Sequence, residues 1–166
     1  RRTARSLGAD VTISEMTASR AIIAGEQDEC RKLDGLDDRT IVQIAGHDPD
    51  VMAKAAQLCE GRGAIMIDVN FGCPAKKVVN SYAGSALMRD EPLAEEILSR
   101  VSAAVSVPVS VKMRTGWDET PKLAHTIAGY IQHWANQHGV NSVPCVFVHG
   151  RSRTARYTKA ANWSYI

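Results

Sequence analysis

One rhythm constrains this chain more than any other feature: five short runs of β-branched and other apolar residues recur along it, each followed by a segment of different periodicity. The runs are Val11 to Ser14, Ile41 to Ile44, Ala64 to Val69, Val107 to Val111 and Cys145 to Val148. They are nearly continuous rather than alternating, which is the pattern of strands covered on both faces in a parallel sheet. Helical signals fill the gaps. Asp48-Pro49-Asp50 joins a cap to an early proline, and Gly61 or Gly63 ends that helix. Asp90-Glu91-Pro92 opens another, in which Ala94, Ile97, Leu98 and Val101 form the face expected to pack on a sheet. A third is expected between Thr120 and His138, stopped by Gly139.

The run onsets at 11, 41, 64, 107 and 145 give a mean step of 33.5 residues, close to the step of about 31 in a (β/α)8 barrel of ~250 residues. The expected fold is therefore α/β, a partial (β/α)8 barrel of about five βα units with parallel strands. A doubly wound sheet is the competing topology. Neither a solenoid repeat nor a low-complexity linker interrupts the rhythm.

Composition narrows the setting. The 166 residues are 45% hydrophobic and 23% charged, as in ordinary globular domains, and no apolar run approaches the ~18 residues of a membrane span. Arg1 to Ala9 is basic without an apolar stretch behind it, so it does not read as a signal peptide. An opening Arg-Arg without Met is expected of a chain that begins inside a longer protein. Cys30, Cys59, Cys73 and Cys145 form neither a disulfide framework nor a C-x-x-C pair, and a reducing, cytoplasmic compartment is expected. The net charge of +2 hides a basic end. From His149 onward there are four cations, Arg151, Arg153, Arg156 and Lys159, and no acid, a hint of a polyanionic partner.

In parallel α/β folds chemistry gathers at the carboxyl ends of strands. Gln43 lies in the second run, Asn70 and Cys73 follow the third, Lys112 and Arg114 follow the fourth, and His149 and Arg151 follow the fifth. A lone lysine after a strand is ordinarily solvated, and a lone histidine ordinarily structural; their joint position at four successive strand ends is what points to a site. Metal chemistry is not expected, because the thiol and imidazole on this rim lack partners at ligand spacing. Neither a G-x-S-x-G elbow nor a Walker-type loop is present. An amide, a cation and a thiol around a planar heterocycle suit a flavin: lysine stabilises negative charge on the reduced ring, glutamine bonds a ring edge, and a thiol donates a proton. Asp68, an acid in a strand, reads as a structural carboxylate.

Asn70-Phe71-Gly72-Cys73-Pro74-Ala75-Lys76-Lys77-Val78 followed by Ala83-Gly84-Ser85-Ala86-Leu87-Met88 resembles the signature of the tRNA-dihydrouridine synthases, closest to the bacterial B-type. Val42-Gln43-Ile44-Ala45-Gly46, Val109 to Trp117 and Val148 to Arg153 agree with it, and the likeness runs from Gly8 to Trp163. The resemblance implies an FMN enzyme that reduces a tRNA uridine to 5,6-dihydrouridine, NADPH reducing the flavin first. It implies that Cys73 protonates uracil C5 opposite hydride delivery to C6, that Asn70 holds the target base, and that Gln43, Lys112 and His149 contact FMN. Arg114, Arg151 and Arg153 are expected to meet phosphates of tRNA or FMN, making binding salt-dependent. The target base must leave its stack to reach a barrel mouth. Tyr157 and Trp163 are expected to pack in a core or groove rather than stack on bases.

The family's first strand and its segments beyond Trp163, including a helical tRNA-binding domain, lie outside this sequence. Residues 1–166 thus correspond to strands two to six of the catalytic barrel, an arc expected to expose two unpaired edges and apolar barrel-facing surface, and to be inactive alone. An enzyme alternative is a flavoprotein related to dihydroorotate or dihydropyrimidine dehydrogenases, acting on a free pyrimidine; a non-enzyme alternative is an inactive RNA-binding fragment.

Overall fold

The computed structural model describes residues 1–118, 129 and 145–163. The expected helix between Thr120 and His138 lies outside the described residues. Every strand pairing is parallel, in the order β1-β3-β4-β5-β6, with β2 also against β3. The strands are β1 (Thr12–Ile13), β2 (Thr17–Ala18), β3 (Thr40–Ala45), β4 (Met66–Phe71), β5 (Val109–Arg114) and β6 (Val146–His149). Since β1 and β2 share one position beside β3, the sheet is an arc of five strand positions, a partial (β/α)8 barrel.

The first position is interrupted for a local reason. Ile13 sits opposite Ile41 and Thr17 opposite Ile44, so four steps along the first segment match three along β3, a one-residue bulge. The Ser14 hydroxyl repairs the ladder there, accepting from the Gln43 N–H at 2.9 Å.

Short helices α1 (Arg2–Ser6), α2 (Ser19–Ile23) and α3 (Gln27–Arg31) flank this edge. The longer α4 (Pro49–Gly61) and α6 (Glu91–Ala104) begin where the capping signals place them. The Asp48 carboxylate accepts from Val51 N–H at 3.0 Å and that of Asp90 from Leu93 N–H at 3.1 Å, each with a proline in the first turn. Between β4 and α6 come α5 (Lys76–Asn80) and a 3₁₀ turn over Gly84–Arg89.

Register separates two faces. Val42, Ile44, Ile67, Val69, Phe71, Val109, Val111 and Met113 form the outer face, buried against Met52, Ala55 and Cys59 of α4 and Ile97 and Val101 of α6. Burial there drives the Cys59 thiol up to about 12, so it serves as a small apolar residue. The inner face carries Gln43, level with Asp68 and Ser110, then Asn70, level with Lys112, then Arg114, level with His149. The expected apolar barrel-facing surface is thus largely polar above Ile41, Met66 and Pro108, because the carboxyl-terminal halves of the strands turn hydrogen-bonding side chains inward.

This also moves two strand boundaries. The apolar runs end at Val69 and Val111, whereas β4 continues through Asn70 to Phe71 and β5 through Lys112 to Arg114. Polar residues end an apolar run in the sequence without ending the hydrogen-bonded ladder.

Candidate active site at the carboxyl ends of the strands

A chain of side-chain hydrogen bonds crosses the upper inner face. Asp68, 0% exposed, accepts from Ser110 Oγ at 2.7 Å and from Gln43 Nε2 at 2.6 Å. Asn70 Nδ2 donates to Gln43 Oε1 at 2.8 Å. Asn70 Oδ1 then accepts from the backbone N–H groups of Gly72 and Cys73, at 3.1 and 2.9 Å. The polarity is set from both ends: the backbone donors require an oxygen at one end of the chain, and a carboxylate receives an amide N–H at the other. Once these bonds are made, Gln43 retains one N–H and one oxygen lone pair, and Asn70 one N–H.

Asp68 is the structural carboxylate expected. Burial raises its pKa, opposed by the Gln43 and Ser110 hydrogen bonds and by the Lys112 charge. Lys112, half-buried beside Asn70, is shifted the other way: burial and the Arg114 charge lower its pKa, and Asp68 offsets part of this. Such an ammonium is well placed for an anionic or electron-rich ligand. His149 is held below the ordinary imidazole value by burial and by Arg114, Lys112 and Arg151, which favours the neutral ring. Its Nε2 lies 3.1 Å from Arg151 Nη1, so it accepts from that guanidinium.

Cys73 is partly exposed at the start of the loop after β4, and the loop is braced from two directions. Its carbonyl accepts from Ser85 N–H at 3.0 Å. A Cβ on Gly84 would stand 2.9 Å from that carbonyl and 2.9 Å from Val78 Cγ1, and φ at Gly84 is +61°. Only glycine meets both demands comfortably, which gives the Ala83-Gly84-Ser85 segment a direct part in placing the thiol.

Arg114 departs from the expectation of a phosphate contact. It is 3% exposed, and its guanidinium donates to Gly72 O at 2.9 Å, Ser152 O at 3.1 Å and Arg156 O at 3.4 Å. It stitches the Cys73 loop to the segment after β6, because a strand residue on the inner face points at backbone rather than solvent. Arg151 is tied to His149 and to Lys159 O, and Arg153 lies 4.3 Å from the Trp117 ring centroid, where Arg89 also stacks. Tyr157 and Trp163, expected to pack, are mostly exposed, although the Arg114 guanidinium lies over the Tyr157 ring.

The structure therefore brings Gln43, Asn70, Cys73, Lys112 and His149 to one rim, with Arg151 beside His149. Sequence reasoning missed Ser14, Ser110 and the clamping role of Arg114. Period-two counting back from Asn70 and Lys112 flags Ser110, since both Asp68 and Ser110 then share the inner face; Ser14 closes the first apolar run, but its bond to the Gln43 N–H comes only from the bulge. Among the described residues, no group of three His, Cys, Asp or Glu side chains is placed to hold a metal ion, and no helix is long and apolar enough to cross a membrane.

Comparison with known proteins gives concordant results. The family model described as dihydrouridine synthase matches residues 1–166. A probable tRNA-dihydrouridine synthase of Rickettsia typhi is 48% identical over all of this chain and 50% of its own length. The tRNA-dihydrouridine synthase B of Pseudomonas aeruginosa is 45% identical over all of this chain and 48% of its own length. That of Xanthomonas campestris is 44% identical over 98% of this chain and 47% of its own length. The chain spans about half the length of the curated relatives it matches.

Proposed function

This chain belongs to the dihydrouridine synthase family, and we propose that it is the part of a cytoplasmic, FMN- and NADPH-dependent enzyme, strands two to six of its barrel, that reduces a uridine in tRNA to 5,6-dihydrouridine. The observation that carries the reading is the rim itself: a directed amide chain from Asp68 to the Cys73 turn, with the half-buried Lys112 ammonium beside Asn70.

The donor set fits a flavin. Gln43 has one donor and one acceptor to spare, the complement of an alternating pyrimidine edge. Lys112 supplies positive charge where a reduced ring carries negative charge, and neutral His149, backed by Arg151, adds a ring-nitrogen contact. Bound there, FMN supplies the hydride, with two electrons drawn from NADPH.

The remaining work belongs to the chain. Reduction adds one hydride and one proton across the C5=C6 bond of uracil. Asn70, with its oxygen occupied by Gly72 and Cys73 N–H, meets the base as a donor, holding a uracil carbonyl oxygen. Cys73 Sγ holds the proton for C5. Arg151 and Arg153 extend the basic surface toward RNA phosphates, and the target base is taken out of its stack in a tRNA loop.

The test uses the full-length gene product. In Cys73→Ala, FMN occupancy and NADPH oxidation should persist while dihydrouridine in tRNA, measured by nucleoside mass spectrometry, falls by about 10²-fold or more. Loss of FMN from that variant would make the thiol structural, and unchanged dihydrouridine would remove it from the reaction. Lys112→Ala should do the reverse, lowering FMN occupancy; a fully yellow variant would overturn the flavin contact.

A further inference from the structure

Apart from the amide chain, three loops of the same rim meet at one aromatic ring. Trp117 follows β5, Arg153 follows β6, and Arg89 ends the 3₁₀ turn whose Ser85 N–H braces the Cys73 carbonyl. The Arg153 guanidinium carbon lies 4.3 Å from the centre of the Trp117 ring, and that of Arg89 4.8 Å. Backbone bonds fix the seat: Arg153 N–H donates to Gly116 O at 2.9 Å and Thr154 N–H to Trp117 O at 3.1 Å. Buried Arg114 joins the loops after β4 and β6 through Gly72 O and Ser152 O.

Three features of this arrangement bear on its ligand. First, two like charges are held within 4.8 Å of one ring centre, where an anion between them relieves their repulsion. Second, among the described residues neither guanidinium forms an ion pair. A ring contact uses the face of a guanidinium and leaves its in-plane N–H donors for another partner. Third, the acids adjacent in sequence have other roles. Asp90 accepts from Leu93 N–H at 3.1 Å and complements the dipole at the start of α6, and Asp118 has a partner of its own. Arg89 is exposed, while Arg153 and Trp117 are half-buried, so the pair is held in place and open to a ligand.

We propose that Arg89 and Arg153, seated on Trp117, form a clamp for the phosphate backbone of tRNA beside the extruded uridine. The inference rests on the reading of the chain as part of a tRNA-uridine reductase, and it gives the 3₁₀ turn a direct RNA contact that the basic segment after β6 does not imply. A planar guanidinium fork matches phosphate oxygens and makes paired, charge-assisted hydrogen bonds to them. A base extruded toward the strand ends brings its own backbone to the surrounding loops, and those loops carry this pair. The turn that braces the thiol thereby also meets the RNA, so one element both seats the backbone and places Cys73.

The test measures tRNA Kd across a salt series for the full-length gene product carrying Arg89→Gln, Arg153→Gln or both, with the KM for NADPH and the thermal midpoint alongside. Each single substitution should flatten the slope of log Kd against log salt by about 0.7 and raise Kd about fourfold at ~0.15 M salt; the double substitution should flatten it by about 1.4. Lys54→Gln, which removes an exposed cation from α4 on the outer face, should leave the slope unchanged. Wild-type slopes in both arginine variants, with or without a lowered thermal midpoint, would overturn the clamp and make the stack structural. An equal loss of slope in Lys54→Gln would reduce the effect to net charge and overturn it as well. A raised KM for NADPH with unchanged tRNA Kd would assign the pair to the reductant's phosphates instead. In each of these cases dihydrouridine formation by the wild type keeps the reductase reading; failure of the wild type to bind tRNA would overturn both.

Discussion

Asp68 governs the site without touching a ligand. Its two oxygens receive Gln43 Nε2 and Ser110 Oγ, so its acceptor-only character decides which way the Gln43 amide, and therefore the Asn70 amide, faces. An asparagine at this position accepts from Gln43 through its oxygen and donates to the Ser110 hydroxyl, which rotates to accept. Asp68→Asn should therefore fold with the amide chain intact, whereas Asp68→Leu leaves buried donors unpaired and should cost about 1–3 kcal/mol, read from urea unfolding midpoints. The pH dependence follows from the raised pKa of Asp68. Its contribution to stability is complete below the unfolded carboxyl value near 3.9 and is lost as pH rises through the higher folded value. Asp68→Asn should remove that loss, so its unfolding midpoint should exceed that of the wild type at pH 7; a lower midpoint would show that the charge stabilises the fold. Asp68 was legible as a structural residue from its place in an apolar run. Its partner Gln43 lies 25 residues away, and no local pattern announces that link.

At the scale of elements, the loop from β4 through α5 to the 3₁₀ turn is the unit that places the thiol. Gly84 is its tightest point. In Gly84→Ala the new methyl meets the Cys73 carbonyl and the Val78 side chain, and the backbone keeps a left-handed φ. The expected destabilisation is about 2–3 kcal/mol. The shift in Cys73 should lower dihydrouridine formation by about 10²-fold, with FMN occupancy retained because Gln43, Lys112 and His149 stand on strands. Equal loss of flavin and activity would show that the brace supports the whole rim. Element positions were readable because capping chemistry is local: Asp48 with Pro49 and Asp90 with Pro92 mark both long helices. The ends of β4 and β5 were not, since a polar residue pointing inward looks, in sequence, like the start of a loop.

Across the whole molecule, one side chain ties the two long helices to the sheet. Glu60, near the end of α4, accepts from Ser106 N–H at 2.8 Å, from Ser106 Oγ, and from Val107 N–H at 3.1 Å just ahead of β5. These hydrogen bonds, with that to the Ser106 hydroxyl foremost, lower the Glu60 pKa against a smaller opposing effect of burial. The contribution is therefore present above the unfolded value near 4.3 and is lost as pH falls through the folded value. Glu60→Gln should reduce the acid-induced fall in stability between about pH 5 and pH 3, measured by denaturant midpoints across that range. An unchanged acid limb would place the lability in other carboxylates. The same scale explains the largely polar inner face of the arc of five strand positions: Gln43, Asp68, Asn70, Ser110, Lys112 and Arg114 turn inward from the carboxyl-terminal halves of the strands, with Phe147 level with Lys112.

The sequence alone determined the parallel α/β rhythm, the two capped helices and the family, because each rests on residues near one another in the chain or on motifs read in order. It also brought Gln43, Asn70, Cys73, Lys112 and His149 to notice. Only the tertiary structure decided what each could do. Register between strands turned isolated polar residues into a directed hydrogen-bond chain and buried Arg114 against three carbonyls. Those outcomes depend on long-range geometry: a strand's facing and a loop's brace are set by partners tens of residues away, so no window of sequence contains them.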